Sequence, residues 1–133
     1  MDARLKERVR RRADSRCEYC RFPEQFSEIP FQIDHIIAEQ HRGQTEDANL
    51  ALACVRCNLY KGPNLSGPDP LSGELTRLFN PRLDSWADHF GWDGARLVGR
   101  TPVGRTTVEV LEMYHQEAIE DRISLKQRGL NFA

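Results

Sequence analysis

The chain lacks any long apolar run. Nothing in its 133 residues approaches the roughly 18 consecutive apolar positions that a membrane helix needs, so no membrane partner is expected. The first residues, Met1-Asp2-Ala3-Arg4, have no apolar stretch of signal-peptide type, and a cytoplasmic location is the expectation that follows. Net charge is almost absent as well. Lys and Arg number 19 against 20 Asp and Glu, so the overall balance of −1 does not by itself point to a polyanionic partner. There is no internal repeat and no low-complexity tract, which excludes solenoids and linker-like chains. The hydrophobic share, 39%, is modest, so a metal cross-link would help the core. One domain over residues 1–133 is the default for this length.

Cysteine is present in an informative pattern. Cys17 and Cys20 form one C-x2-C pair, Cys54 and Cys57 another. In a reducing compartment disulfides are disfavoured and metal binding is the better reading. The 33 residues between the pairs exceed the roughly 15–20 of a simple zinc ribbon, which leaves room for a functional insert. Four thiolates suit a closed, tetrahedral, structural Zn²⁺ with no open position for water. Buried free thiols or a redox pair are the competing readings.

The charge is also unevenly spread. Residues 1–21 hold eight basic side chains against four acidic ones, a local +4, and the remainder is acidic. An asymmetric field of this kind can bring a phosphate backbone to one face. Leu5, Val9 and Ala13 recur at spacing four, so residues 3–13 read as a helix with a narrow apolar stripe and Arg on its other faces. A solvated helix face is the bland reading; contact with a nucleic-acid backbone through Arg8, Arg11 and Arg12 is the functional one.

Further elements follow from local pattern. Residues 22–30 read as a polar loop, 31–34 as a short strand, 40–48 as a polar connection, 49–53 as a second strand and 54–60 as a helix stopped at Gly62-Pro63. Residues 62–73 are rich in Gly, Pro and Ser and read as a loop, and 74–79 as a helical turn or two. Residues 86–99 predict a hairpin turning at Asp93-Gly94, with Trp92 opposite Ala95, Phe90 opposite Leu97, and all four on one face. Thr101-Pro102 is a helix start, and helical spacing runs to about Gln127 in one helix or in two broken near Tyr114, with Gly129 as the stop.

Asp34-His35, then Asn49-Leu50, then Cys54-x-x-Cys57-Asn58-x-x-Lys61-Gly62, with Cys17 and Cys20 upstream, closely resemble the HNH endonucleases, in the subgroup with a four-cysteine zinc site. Residues 69–107, with Leu78-Phe79-Asn80-Pro81-Arg82, Trp86-x-x-His89-Phe90-x-Trp92 and Thr101-Pro102-x-Gly104-Arg105, are similar to the tail of a group of small bacterial HNH proteins. The resemblance implies a small α+β fold. Its ββα-metal core and zinc site (17–62) would follow a basic helix (1–16) and precede a loop, hairpin and C-terminal helix (63–133).

The resemblance also implies a metal-dependent endonuclease acting on DNA and leaving 5′-phosphate and 3′-hydroxyl ends. Phosphodiester hydrolysis needs a base for water, charge relief at phosphorus and help for the leaving oxygen. An imidazole titrates near neutrality, so His35 is the candidate general base. Asp34 and Asn58 are the candidate ligands of a divalent ion, and one carboxylate with one amide suits Mg²⁺ or Mn²⁺. Neighbours on an extended strand point to opposite faces, so Asp34 and His35 can share a site only where the strand ends or bends. By resemblance, Asn49 hydrogen-bonds backbone and orients the loop bearing His35. Lys61, at i+3 from Asn58, and Arg56 are candidates for phosphate contact, as is Arg42. The family signature often ends in His where this chain has Asn58, which leaves the choice of metal open.

His41, His89 and His115 read as solvated or packed, and Trp86 and Trp92 as core. The alternative function is a zinc-stabilised nucleic-acid-binding module without turnover, which would make no use of Asp34 and His35. A redox or interaction domain built on the cysteine pairs is a third reading.

Overall fold

The computed structural model describes residues 1–130. The chain is mixed α and β, with three separate two-stranded antiparallel sheets among the described residues. No helix among the described residues is long and apolar enough to cross a membrane.

Helix α1 (Ala3–Arg12) is capped by Asp2, whose carboxylate accepts the Arg4 N–H at 2.8 Å. Its last turn carries Arg10, Arg11 and Arg12, which suits the negative end of the helix dipole. Val9 and Ala13 are buried and Leu5 packs beside them, so the stripe seen in the sequence is the packing face. Strands β1 (Gln32–His35) and β2 (Leu50–Ala53) pair in register Gln32–Ala53 to His35–Leu50. Every β2 residue is fully buried, which its unbroken apolar run Leu-Ala-Leu-Ala requires. Helix α2 (Val55–Lys61) follows at once, and α1 packs on β2 from the N-terminal side.

The middle of the chain differs from expectation. Residues 62–73 are not all loop, and 74–79 are not helical: β3 (Ser66–Pro68) pairs with β4 (Leu75–Arg77). Asp69 organises the turn between them, since its backbone N–H donates to Glu74 O and its carbonyl accepts from Gly73 N–H. Three-residue strands are too short to show a period, and Pro68 is tolerated on a two-stranded edge.

Residues Trp86–His89 form one helical turn, α3, so the hairpin begins only at β5 (Phe90–Asp93) and closes with β6 (Arg96–Gly99). The register is Trp92–Leu97 and Phe90–Gly99, two residues from the expected pairing. The turn is centred on Gly94-Ala95, with φ +62° at Gly94. Glycine is therefore needed at the first central position, not the second. A shift of two keeps side chains on the same face, so Phe90, Ala95 and Leu97 are buried together and Trp92 packs against the core as expected.

Helix α4 (Pro102–Val110) starts where Thr101 Oγ1 accepts the Gly104 N–H at 3.0 Å. Helix α5 (Gln116–Gln127) follows after a break at residues 111–115, the two-helix form of the expectation.

Candidate metal centre and active site

The two cysteine pairs meet between the segment before β1 and the N-terminus of α2. Their four Sγ atoms all lie within 4.8 Å of one another, and Cys20 Sγ is 3.7 Å from Cys54 Sγ. A tetrahedron with Zn–S bonds of about 2.3 Å has S···S edges of about 3.8 Å, so the donor set fits zinc. The Cys20 N–H donates to Cys17 Sγ and the Cys57 N–H to Cys54 Sγ, both at 3.4 Å, in the turn that two-residue spacing builds. Burial pushes the Cys17 thiol well above its ordinary pKa, and bonds from the other three thiols push Cys57 up too. The same crowding lowers Cys20. A cation is what would let all four become thiolates together.

Beside this cluster, Asp34 and His35 leave β1 on opposite sides. Asp34 is 5% exposed and both its oxygens are engaged. Tyr19 donates its hydroxyl to Oδ2 at 2.7 Å, and Lys61 Nζ lies 3.3 Å from Oδ1 and 3.2 Å from Oδ2. Burial raises the Asp34 pKa, opposed by Lys61 and by the Tyr19 bond. Tyr19 is itself fully buried, and burial next to Asp34 holds its hydroxyl well above the ordinary range.

Lys61, expected at the phosphate, is 2% exposed and turned inward. Its ammonium also reaches the carbonyls of His35 at 3.2 Å and Ile36 at 3.1 Å. Asn58, one turn earlier on α2, donates to Gln32 Oε1 at 2.5 Å. As arranged, these donors do not fit a catalytic divalent ion, because the ammonium of Lys61 already occupies the carboxylate that would hold it.

The imidazole of His35 faces the connection between the strands. Its Nε2 is 2.9 Å from Thr45 Oγ1 and 3.6 Å from Glu39 Oε1, and its side chain is 17% exposed. Asn49 fastens this connection. Its Oδ1 accepts the Ile37 N–H at 2.9 Å, and its Nδ2 donates to Ile37 O at 3.0 Å and Gln44 O at 2.9 Å. Gly43 lies so close that a Cβ there would fall 1.7 Å from Ile37 O and 2.8 Å from Asn49 Nδ2, so no side chain fits.

The basic residues divide. Arg12 is a brace: its guanidinium donates to Asp47 O at 3.0 Å and Leu50 O at 2.7 Å. Arg56 pairs with Glu117 across to α5 at 3.1 Å. Arg8 and Arg11 are exposed, paired only with exposed Asp47 and Glu7. Arg4, Arg8 and Arg11 sit at i, i+4 and i+7 and line one shallow surface depression on α1. Tyr19, Thr45 and Glu39 were not singled out in the sequence. Tyr19 had one local signal, its place between Cys17 and Cys20; the other two become visible only when the loop closes on His35.

No curated protein and no solved structure gives a match to this chain. Residues 17–64, which carry all four cysteines together with β1, β2 and α2, match the family model of the HNH endonucleases, as the motif resemblance implied.

Proposed function

We propose that this protein is an endonuclease of the HNH type that hydrolyses DNA phosphodiester bonds, with His35 as general base and a ββα-metal core formed by β1, β2 and α2. The observation that carries this reading is the setting of His35 inside the family-matched segment. It is a half-buried imidazole at a strand end, with a hydroxyl at 2.9 Å and a carboxylate at 3.6 Å, on a loop that Asn49 ties down. Thr45 orients the ring. Glu39 stands 3.6 Å from the ring, and His35 takes a proton from water. The water oxygen bonds to phosphorus as the bond to the 3′ oxygen breaks. Asn49 acts through the backbone, holding the His35 loop in place.

The zinc centre is structural in this reading. Were Lys61 displaced from Asp34, Asp34 and Asn58 would be the residues to hold a divalent ion such as Mg²⁺ or Mn²⁺, which would supply charge relief at the phosphate. The exposed stripe Arg4, Arg8 and Arg11 is the part of α1 free to meet a phosphate backbone; Arg12, Arg56 and Lys61 hold the fold instead.

Conversion of supercoiled plasmid with Mg²⁺ or Mn²⁺, wild type beside His35→Ala, tests the reading. Nicking by the wild type alone is expected. Equal nicking by both would remove His35 from the role. DNA binding without cleavage by either would favour a zinc-stabilised binding module.

A further inference from the structure

Several partly buried arginines pair with an anion: Arg82 with Glu18, Arg105 with Asp69 and Arg10 with Glu24. Arg122, on α5, is 1% exposed, and no carboxylate pairs with it among the described residues. Its Nε and Nη1 are both buried without a hydrogen-bond partner among the described residues. Its guanidinium lies over the Trp92 ring, 5.2 Å from the centroid, which offsets only part of the cost of removing a cation from water.

Arg122 lines one cavity with Cys20, Cys54, Glu117 and Asp121, about 330 Å³ in volume, between α2 and α5. Glu117 is taken up by Arg56, and Asp121 forms no ion pair with Arg122. Four thiolates around one Zn²⁺ carry a net charge of −2, and burial makes that charge costly unless donors or cations answer it. Among the described residues, backbone N–H groups reach the sulfurs of Cys17 and Cys54, and none reaches Cys20 or Cys57.

We propose that Arg122 is the counter-cation of the zinc-loaded four-cysteine centre: a guanidinium carried on α5 that answers the dianion and makes the seating of that helix depend on the metal. A helix outside the family-matched segment would thereby be coupled to the metal inside it. The inference rests on the cluster holding zinc, not on nuclease activity. Zinc content of the wild-type chain separates the two failures, since a zinc-free folded wild type overturns the zinc reading itself.

The test follows zinc transfer to a chelating dye at fixed pH, with Co²⁺-loaded protein giving the sulfur-to-cobalt charge-transfer band. Arg122→Met should release zinc at least about tenfold faster, a shift of about 1.4 kcal/mol or more if the change lies in affinity. Its cobalt band should move to longer wavelength, because sulfur donates more readily without a neighbouring cation. Arg122→Lys should stay within about threefold of wild type with the band restored. Arg128→Met, just past the C-terminus of the same helix, should change neither. Unchanged release in folded Arg122→Met overturns the proposal. So does faster release with an unmoved band, which would mark a packing role. If Arg122→Met does not fold, Arg122→Lys decides. Zinc retention near wild type supports the charge role, and a Lys variant that is also unfolded or loses zinc as freely as the unfolded chain overturns it.

Discussion

Two aspartates in this chain are buried to nearly the same degree, and their surroundings push them in opposite directions. Asp34, 5% exposed, sits between β1 and α2 with a raised pKa. Asp69, 1% exposed, sits in the β3–β4 turn with a pKa far below the usual carboxylate range. The difference is the number and aim of donors. Arg105 grips Asp69 with Nε at 3.1 Å and Nη2 at 2.9 Å, and the Leu71 N–H and Ser72 hydroxyl add bonds at 3.0 and 3.1 Å. Asp34 has only Tyr19 and a shared ammonium, and burial outweighs them. A carboxylate saturated by a planar fork and its own turn is fold chemistry. A carboxylate buried beyond what its donors offset, beside a candidate base, is the kind of group that active sites contain.

Removing the metal should separate the two regions most. Tyr19, the hydroxyl donor to Asp34, lies between Cys17 and Cys20, so the Asp34 side depends on the cysteine centre directly. Zinc binding is worth on the order of 10–16 kcal/mol in zinc-finger peptides. Chelation, or Cys57→Ala, should therefore collapse amide-exchange protection across β1, β2 and α2 first. Protection lost first in β3, β4 and α4 would reverse the comparison. Lys61→Met comes next. It leaves Asp34 buried without its cation and should cost about 3–5 kcal/mol in urea denaturation. The double variant Lys61→Met/Asp34→Asn should recover part of that loss, whereas additive losses would mean that the two groups do not depend on each other. Asn49→Ala strands the Ile37 N–H and two carbonyls and should cost about 2–3 kcal/mol. It should lower nicking activity by loosening the His35 loop, and a loop unchanged in amide exchange would refute that link.

What could be read in advance follows the range of the interaction that decides it. The cysteine centre, β1, β2, α2 and the start of α4 rest on neighbours a few residues apart: C-x2-C turns, an unbroken apolar strand, a Thr cap before Pro102. Strands β3 and β4 differ from the expected loop and helical turn because three residues of mixed polarity show no period, and the single turn α3 differs from the expected strand for the same lack of length. The inward turn of Lys61 could not be seen at all. Lysine is ordinarily exposed, and this one is buried by acceptors 25 to 27 residues away. Arg12, though exposed, is also held by distant acceptors, the carbonyls of Asp47 and Leu50 lying 35 and 38 residues on. Asp34 and His35 were legible as a pair, but not that one would be closed and the other open.

The smallest effect, and the most specific, is the pH dependence of the Asp69 turn. A carboxyl whose pKa falls on folding stabilises the fold at pH values above its unfolded pKa, about 4, and loses that contribution as pH drops toward the folded value. Wild type and Asp69→Asn should therefore differ by a constant amount above about pH 5. The gap should narrow below pH 4, with Arg105→Gln showing the same profile. The raised pKa of Asp34 has the opposite sign: the fold holds its proton more tightly than the unfolded chain, so its ionisation weakens the fold as pH rises past 4. Asp34→Asn should then flatten the stability curve on the alkaline side of that window, where Asp69→Asn flattens it on the acid side. Denaturant midpoints of both variants between pH 2 and 7 would show it, and two curves flattened on the same side would mean that the two aspartates do not differ in the way their donors require.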